Sequence, residues 1–135
     1  MRFVDTNVLL YAVSTNDEET VKARIARDLL QSRDLALSVQ VLQEFYVQAT
    51  RASREDRLSH EQAATLIESF RRFPIQETSV LLVQRALAGK ERFQISYWDA
   101  AILEAAKLMG CKTVLSEDLN DGQDYGGVVV ENPFR

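Results

Sequence analysis

The sequence predicts an α/β fold, with a mainly parallel central sheet of short strands flanked by helices. Two observations carry this reading. Short apolar runs alternate with longer segments of helical periodicity along the chain. Alternation of this kind implies right-handed crossovers between parallel strands, with helices covering both faces. The apolar runs are also continuous rather than alternating, as in strands buried on both sides.

The elements follow in order. Phe3-Val4 is a short strand that runs into Asp5-Thr6-Asn7 and then a short helix over Val8 to Val13. Thr15 with Glu18 matches a capping box, which opens a helix over about 17–31. Its Val21, Ile25, Leu29 and Leu30 recur at helical spacing. Leu35-Ala36-Leu37 reads as a buried strand, and Ser38 caps a helix from Val39 to about Ala52. Arg51 to Arg57 is polar and reads as a loop. Ser59 with Gln62 is a second capping box, opening a helix over about 60–72 that Pro74 ends. Pro74-Ile75-Gln76 supplies a very short strand. Thr78 caps the next helix, which Gly89 stops or frays. Ser96 caps a helix over roughly 97–109, with Gly110 just past its end. Thr113-Val114-Leu115 is a strand running into Ser116-Glu117-Asp118, and Val128-Val129-Val130 is the last strand. No linker, repeat or low-complexity segment interrupts residues 1–135, so one domain is expected.

Bulk properties narrow the function. The chain is 46% hydrophobic and 27% charged, which excludes disorder and fibrous repeats. Its one cysteine, Cys111, rules out an internal disulfide and a thiolate metal site, and suits a reducing, cytoplasmic setting. The apolar runs are far shorter than the ~20 residues that span a bilayer, so no membrane is expected. A net charge of −4 argues at first against a nucleic-acid partner. The charge is unevenly placed, however: residues 1–20 sum to −3, residues 21–92 to +3 and residues 93–135 to −4. A parallel sheet can bring both acidic ends into one site with a more basic rim.

In open parallel sheets, ligands bind beyond the carboxyl ends of the strands. Asp5 ends the first strand and Asp118 follows the strand at 113–115. Asp99 lies three residues beyond the Ser96 cap, and Glu44 six residues beyond Ser38, roughly 9 Å along its helix. Four carboxylates from four segments therefore project toward one edge. Each also has a structural alternative: Asp5 and Asp99 in helix capping, Asp118 in a turn, Glu44 on a solvated face. Four such groups cannot all be ionised in one place without a cation. An all-oxygen set suits Mg²⁺ or Mn²⁺, which can polarise a phosphoryl oxygen and activate water. Thr6, Asn7 and Ser116 either cap helices and turns or orient the carboxylates. His60 reads as a surface residue and Cys111 as core. Tyr97 and Trp98 read as packing residues, with a wall of the cleft as the alternative. Other acid-based chemistries fit less well. Asp5-Thr6-Asn7 lacks the second carboxylate of a D-x-D phosphatase, and no Gly-rich nucleotide fingerprint is present.

These residues resemble those of a known family. Asp5-Thr6-Asn7, Glu44, Asp99 and Ser116-Glu117-Asp118 look like the acidic set of PIN-domain ribonucleases. The Ser96-Tyr97-Trp98-Asp99-Ala100-Ala101-Ile102 and Ser116-Glu117-Asp118-Leu119 stretches look like the VapC-type toxin branch, as does the closing Gly126-Gly127-Val128 to Asn132-Pro133-Phe134. The resemblance spans essentially the whole chain and implies a three-layer PIN-like fold. It implies a Mg²⁺- or Mn²⁺-dependent endoribonuclease acting on structured RNA such as tRNA, rRNA or mRNA. It also implies a homodimer and a cognate antitoxin that blocks the acidic pocket. Asp5, Glu44, Asp99 and Asp118 would be the catalytic, metal-holding set, and Thr6, Asn7 and Ser116 would support them. Ser116 stands where many relatives carry Thr, and the hydroxyl is retained. Asp121 is an extra acid near Asp118, read as a turn residue, with a peripheral metal contact as the alternative. RNA binding would need cations near the acids; Arg51, Arg54 and Arg57 are candidates for a phosphate-gripping rim. Few aromatics lie in that stretch, so no stacking is expected from it. Two rivals stay open: a non-catalytic binding module on the same scaffold, and a related nuclease acting on DNA or in RNA maturation without an antitoxin.

Overall fold

The computed structural model describes residues 1–135. Five short parallel strands form one sheet in the order β3-β2-β1-β4-β5. They are β1 (Arg2–Val4), β2 (Leu35–Ser38), β3 (Ile75–Gln76), β4 (Thr113–Leu115) and β5 (Val129–Glu131). Six helices flank the sheet: α1 (Thr6–Ala12), α2 (Thr20–Leu30), α3 (Val39–Ala49), α4 (His60–Phe70), α5 (Val80–Phe93) and α6 (Tyr97–Leu108). Helices α1 to α4 pack as one group and α5 with α6 as another, with α6 lying on β2, β3 and β4. The core runs through the central strands. Phe3, Val4, Leu35, Leu37, Val114 and Leu115 are fully buried, as expected of strands covered on both faces.

The strand order matters for function. The chain steps outward from β1 through β2 to β3, then returns to the other side of β1 for β4. The order of strand addition therefore reverses between β1 and β4, and such a switch point leaves a crevice at the carboxyl ends of the two strands. The β1 backbone leads into Asp5, whose N–H donates to the Leu115 carbonyl of β4 at 3.0 Å.

Several boundaries differ from expectation. Asn16, not Thr15, caps the second helical segment, accepting from the Glu18 N–H at 3.0 Å. Asn is the better cap, and the Thr15 N–H is taken by Asp56 at 2.8 Å. One 3-10 turn over Asp17–Glu19 precedes α2. Ser79, rather than Thr78, caps α5 and accepts from Leu82, for the same reason of cap preference. Gly89 does not stop α5, which continues to Phe93 and ends on Gln94 at φ 53°. A Cβ on Gly89 would stand 3.4 Å from the Glu104 carboxylate and 3.7 Å from Ala100 Cβ, in ordinary contact with α6. Helices α3 and α4 end two to three residues early, and β5 starts one residue late. The Ser59–Gln62 capping box, the Ser38 and Ser96 caps, and Gly110 at φ 75° after α6 are as expected.

Candidate active site

Asp5 leaves β1 at the switch point and caps α1 by accepting from the Thr6 N–H at 2.7 Å. Its other oxygen accepts from the Ser116 hydroxyl at 2.7 Å. Ser116 follows β4 and is wholly buried behind Asp5. The same hydroxyl oxygen accepts from the Asp118 N–H at 3.1 Å and the Asn7 amide at 3.2 Å. The Asn7 amide also donates to Asp118 at 3.2 Å and faces Asp5 at 3.5 Å. Thus Asn7, the second residue of α1, ties the end of β1 to the end of β4. Glu44 joins from α3, where it accepts from the Thr6 hydroxyl at 2.8 Å.

Asp5, Thr6, Asn7, Glu44 and Asp118 line one cleft of about 90 Å³, together with Leu10, Gln48, Trp98, Asp99 and Ile102. Asp99 reaches it from the first turn of α6, where Ser96 caps the helix by accepting the Asp99 N–H at 3.1 Å. The four acids nominated from the sequence therefore meet at one place, with Thr6 and Asn7 among them and Ser116 beneath.

The electrostatics of this cleft are unbalanced. Asp5 is 5% exposed, and its carboxyl is pushed up to about 7. Burial is the main cause, and the charges of Asp118 and Glu44 add to it; the hydrogen bonds from Ser116 and Thr6 oppose it. Asp99 is also raised, chiefly by burial, against the Ser96 hydrogen bond and with a further push from Asp118. No cation-bearing side chain lines the cleft. A divalent ion would supply the missing positive charge, and an all-oxygen donor set suits a hard ion. No three acids stand close enough together to form a ready-made cage. Mg²⁺ commonly takes one or two carboxylates and completes its shell with water and phosphate, so the residues present fit such an ion.

Other nominated residues fall elsewhere. Arg54 is not free for a rim: it pairs with Asp56 at 3.0 Å and donates to the Leu10 carbonyl at 3.4 Å. Arg51 is exposed beside the cleft in a neighbouring groove, and Arg57 is exposed without lining either depression. Asp121 holds the chain end, accepting from the Asn132 N–H and from Arg135, both at 2.7 Å. These bonds keep its carboxyl below the usual range, so it is the turn residue expected. His60 lies at the surface against Tyr46, and Cys111 is buried.

Two features escaped sequence reasoning. Gln40 is buried and donates to the Trp98 carbonyl at 3.1 Å, with Glu44 at 3.5 Å, so it links α3 to α6 beside the acids. Its i, i+4 spacing from Glu44 was the available signal. Glu117 turns away from the cleft and accepts from both Tyr11 and Lys22 at 2.5 Å. Nothing in the local sequence marks that long-range set.

The sequence matches the family model described as PIN domain over residues 2–120. Among curated proteins, none matches the chain by sequence. Solved structures do. The toxin–antitoxin complex from Klebsiella pneumoniae aligns at TM-score 0.73 and 21% identity, covering 98% of each chain. Mycobacterium tuberculosis VapC20, described as a sarcin–ricin loop cleaving toxin, aligns at TM-score 0.66 and 16% identity, over 87% of this chain and 90% of that one. DNA-bound VapBC from Salmonella typhimurium aligns at TM-score 0.67 and 17% identity, over 98% and 97%. At these identities the likeness is one of fold. Since the family model covers most of the residues and the fold agrees with it, the chain belongs to the PIN domain family.

Proposed function

We propose that this chain is a metal-dependent endoribonuclease, the toxin of a toxin–antitoxin pair, hydrolysing phosphodiester bonds in structured RNA to leave 5′-phosphate and 3′-hydroxyl ends. The observation that carries the reading is Asp5: a buried carboxylate with its acidity suppressed, facing Glu44 and Asp118 across a small cleft at the switch point of the sheet. Buried acids without a counter-charge are costly to a fold, and perturbed acids in clefts mark functional sites. Asp5, Glu44, Asp99 and Asp118 would hold Mg²⁺ or Mn²⁺. The bound ion would offset the acids' repulsion, polarise a phosphoryl oxygen and lower the pKa of water. The chain's own residues do the positioning. Ser116 and the Thr6 N–H hold the two oxygens of Asp5, Thr6 aims Glu44, and Asn7 bridges Asp5, Ser116 and Asp118.

The toxin assignment draws on the structural neighbours, which include toxin–antitoxin complexes. An antitoxin partner and a cytoplasmic setting belong to the same reading. So does a homodimer, for which exposed Val80, Leu81 and Leu87 on α5 leave apolar surface open. No helix is long and apolar enough to cross a membrane. The test is direct. The purified chain with Mg²⁺ or Mn²⁺ should cleave structured RNA, chelation should stop it, and Asp5→Ala should abolish it. Undiminished cleavage by Asp5→Ala refutes the proposal.

A second reading, a non-catalytic binding module on the same scaffold, is favoured by the lack of a preassembled three-acid cage. It predicts no RNA cleavage and no change in thermal stability on titration with either ion.

A further inference from the structure

Beside the acidic cleft lies a second depression that shares its wall. This groove, of about 330 Å³, is lined by Glu44, Gln48 and Trp98, which also line the cleft, and by Gln43, Val47 and Arg51. Its volume is at the lower end of the range for small-ligand sites. Trp98 and Val47 are its two apolar walls, and both are exposed, at 62% and 56%. An indole held in water forgoes the burial that usually recruits the residue. It is nonetheless held in place. Its carbonyl accepts from the buried Gln40 amide at 3.1 Å, and Tyr97 packs against its ring in a T-shape at 5.0 Å. The backbone of Trp98 is therefore anchored to α3 while most of its ring stays open.

On the α3 side, Glu44 and Gln48 stand one turn apart on the helix, and Arg51 follows just beyond its end at Ala49. Arg51 is exposed and enters none of the chain's six salt bridges. An open π-face, side-chain amides and a free guanidinium thus share one groove that opens into the acidic cleft. A planar aromatic ring next to a phosphate is the chemistry that matches all three, and a nucleotide supplies both.

We infer that this groove is a nucleotide subsite. It takes an unpaired residue of the RNA next to the scissile phosphate, its base stacked on Trp98 and its phosphate paired with Arg51. The inference rests on the ribonuclease reading and deepens it by naming the local substrate. Stacking on an aromatic ring tolerates any base but requires that the base be unstacked from its neighbours. The chain would therefore select for unpaired nucleotides at its cut site within an otherwise structured RNA. Gln43 and Gln48 supply donors and acceptors to the base edge.

Trp98 is the only tryptophan in the chain, so fluorescence excited selectively at tryptophan reports on the wall that this groove shares with the cleft. The full chain is mixed with a single-stranded RNA hexanucleotide in Mg²⁺ and read in a stopped-flow within the first second. An abasic hexamer with the same phosphates is the control. The native hexamer should quench Trp98 saturably and the abasic one should not. By anisotropy of labelled RNA, Trp98→Ala should bind about tenfold more weakly, and Trp98→Tyr should keep most of the affinity. Arg51→Ala should weaken binding and flatten its salt dependence. Equal binding of native and abasic hexamers, or of the parent and Trp98→Ala, overturns the subsite and leaves the groove to a polypeptide partner. Cleavage without quenching also overturns the subsite while sparing the ribonuclease reading. Quenching by the hexamer together with no cleavage of structured RNA supports the subsite and sinks that reading instead.

Discussion

Replacing Asp5 by Asn isolates the electrostatic cost of the acidic cleft. The carboxyl of Asp5 is pushed from an ordinary 3.8 to about 7 in the fold. The folded state therefore favours the protonated form. Stability from this source is fully present below the unfolded value, and is lost as pH rises through the folded one. At about 1.4 kcal/mol for each pH unit between the two values, the metal-free protein loses about 4 kcal/mol in all. Roughly half of that, about 2 kcal/mol, falls between pH ~5.5 and pH ~8. Asn keeps the size of Asp but does not titrate. It also leaves one of the two donors that face Asp5, the Thr6 N–H or the Ser116 hydroxyl, without its acceptor. That loss is the same at both pH values and cancels when they are compared. The assay is urea unfolding of both proteins with EDTA at the two pH values. The parent should lose about 2 kcal/mol more than Asp5→Asn on going to the higher pH, or roughly 6–8 °C in Tm for a chain of this size. Mn²⁺ at the higher pH should restore most of the difference to the parent and little to the variant. Equal pH dependence in the two proteins would refute the reasoning, since Asp5 would then be ionised at ordinary cost.

Two further predictions test the scaffold. Ser116→Ala removes the donor to Asp5 and the acceptor for Asn7 and the Asp118 N–H in a fully buried position; it should cost about 2 kcal/mol in urea unfolding. Because the Ser116 hydrogen bond lowers the Asp5 pKa, the variant should go on losing stability to higher pH than the parent, and a curve identical to the parent's would count against that bond. Gly89→Ala should raise the unfolding free energy by about 0.5–1 kcal/mol, read as a higher urea midpoint at constant m, because helix propensity favours Ala and the added Cβ meets Glu104 at an acceptable 3.4 Å; a loss of stability would show that α5 and α6 cannot yield even that much.

Much of the architecture was legible because it is local. Caps at Ser38, Ser59 and Ser96 act within three residues, and helical periodicity acts within two turns. The strand-end acids were legible too, since Asp5 and Asp118 each follow an apolar run directly. The misreadings were also local, but they turned on competition. Thr15 and Asn16, or Thr78 and Ser79, are adjacent candidates for one cap, and the outcome depends on what else claims each N–H. At Gly89, a residue that weakens an isolated helix does not end this one, because α5 packs along α6 through and beyond it.

The nature of the site could be read from residue types: four acids with hydroxyls and an amide at strand ends point to an all-oxygen site whatever the exact packing. Its assembly could not. Asn7 and Ser116 are 109 positions apart, and they meet because β1 and β4 are neighbours at the switch point of the sheet. Arg54 and Arg51 look alike in sequence, yet one is paired with Asp56 and the other is left free beside Trp98. Trp98 lies far along the chain from Arg51, and its exposure follows from where α6 lands against α3. Hydrogen-bonding capacity and charge are carried by each residue on its own, whereas burial and partnership arise only when distant segments pack. The low net charge of the chain therefore says little about nucleic acid, because the fold gathers the acids into one cleft and leaves a free arginine on its rim.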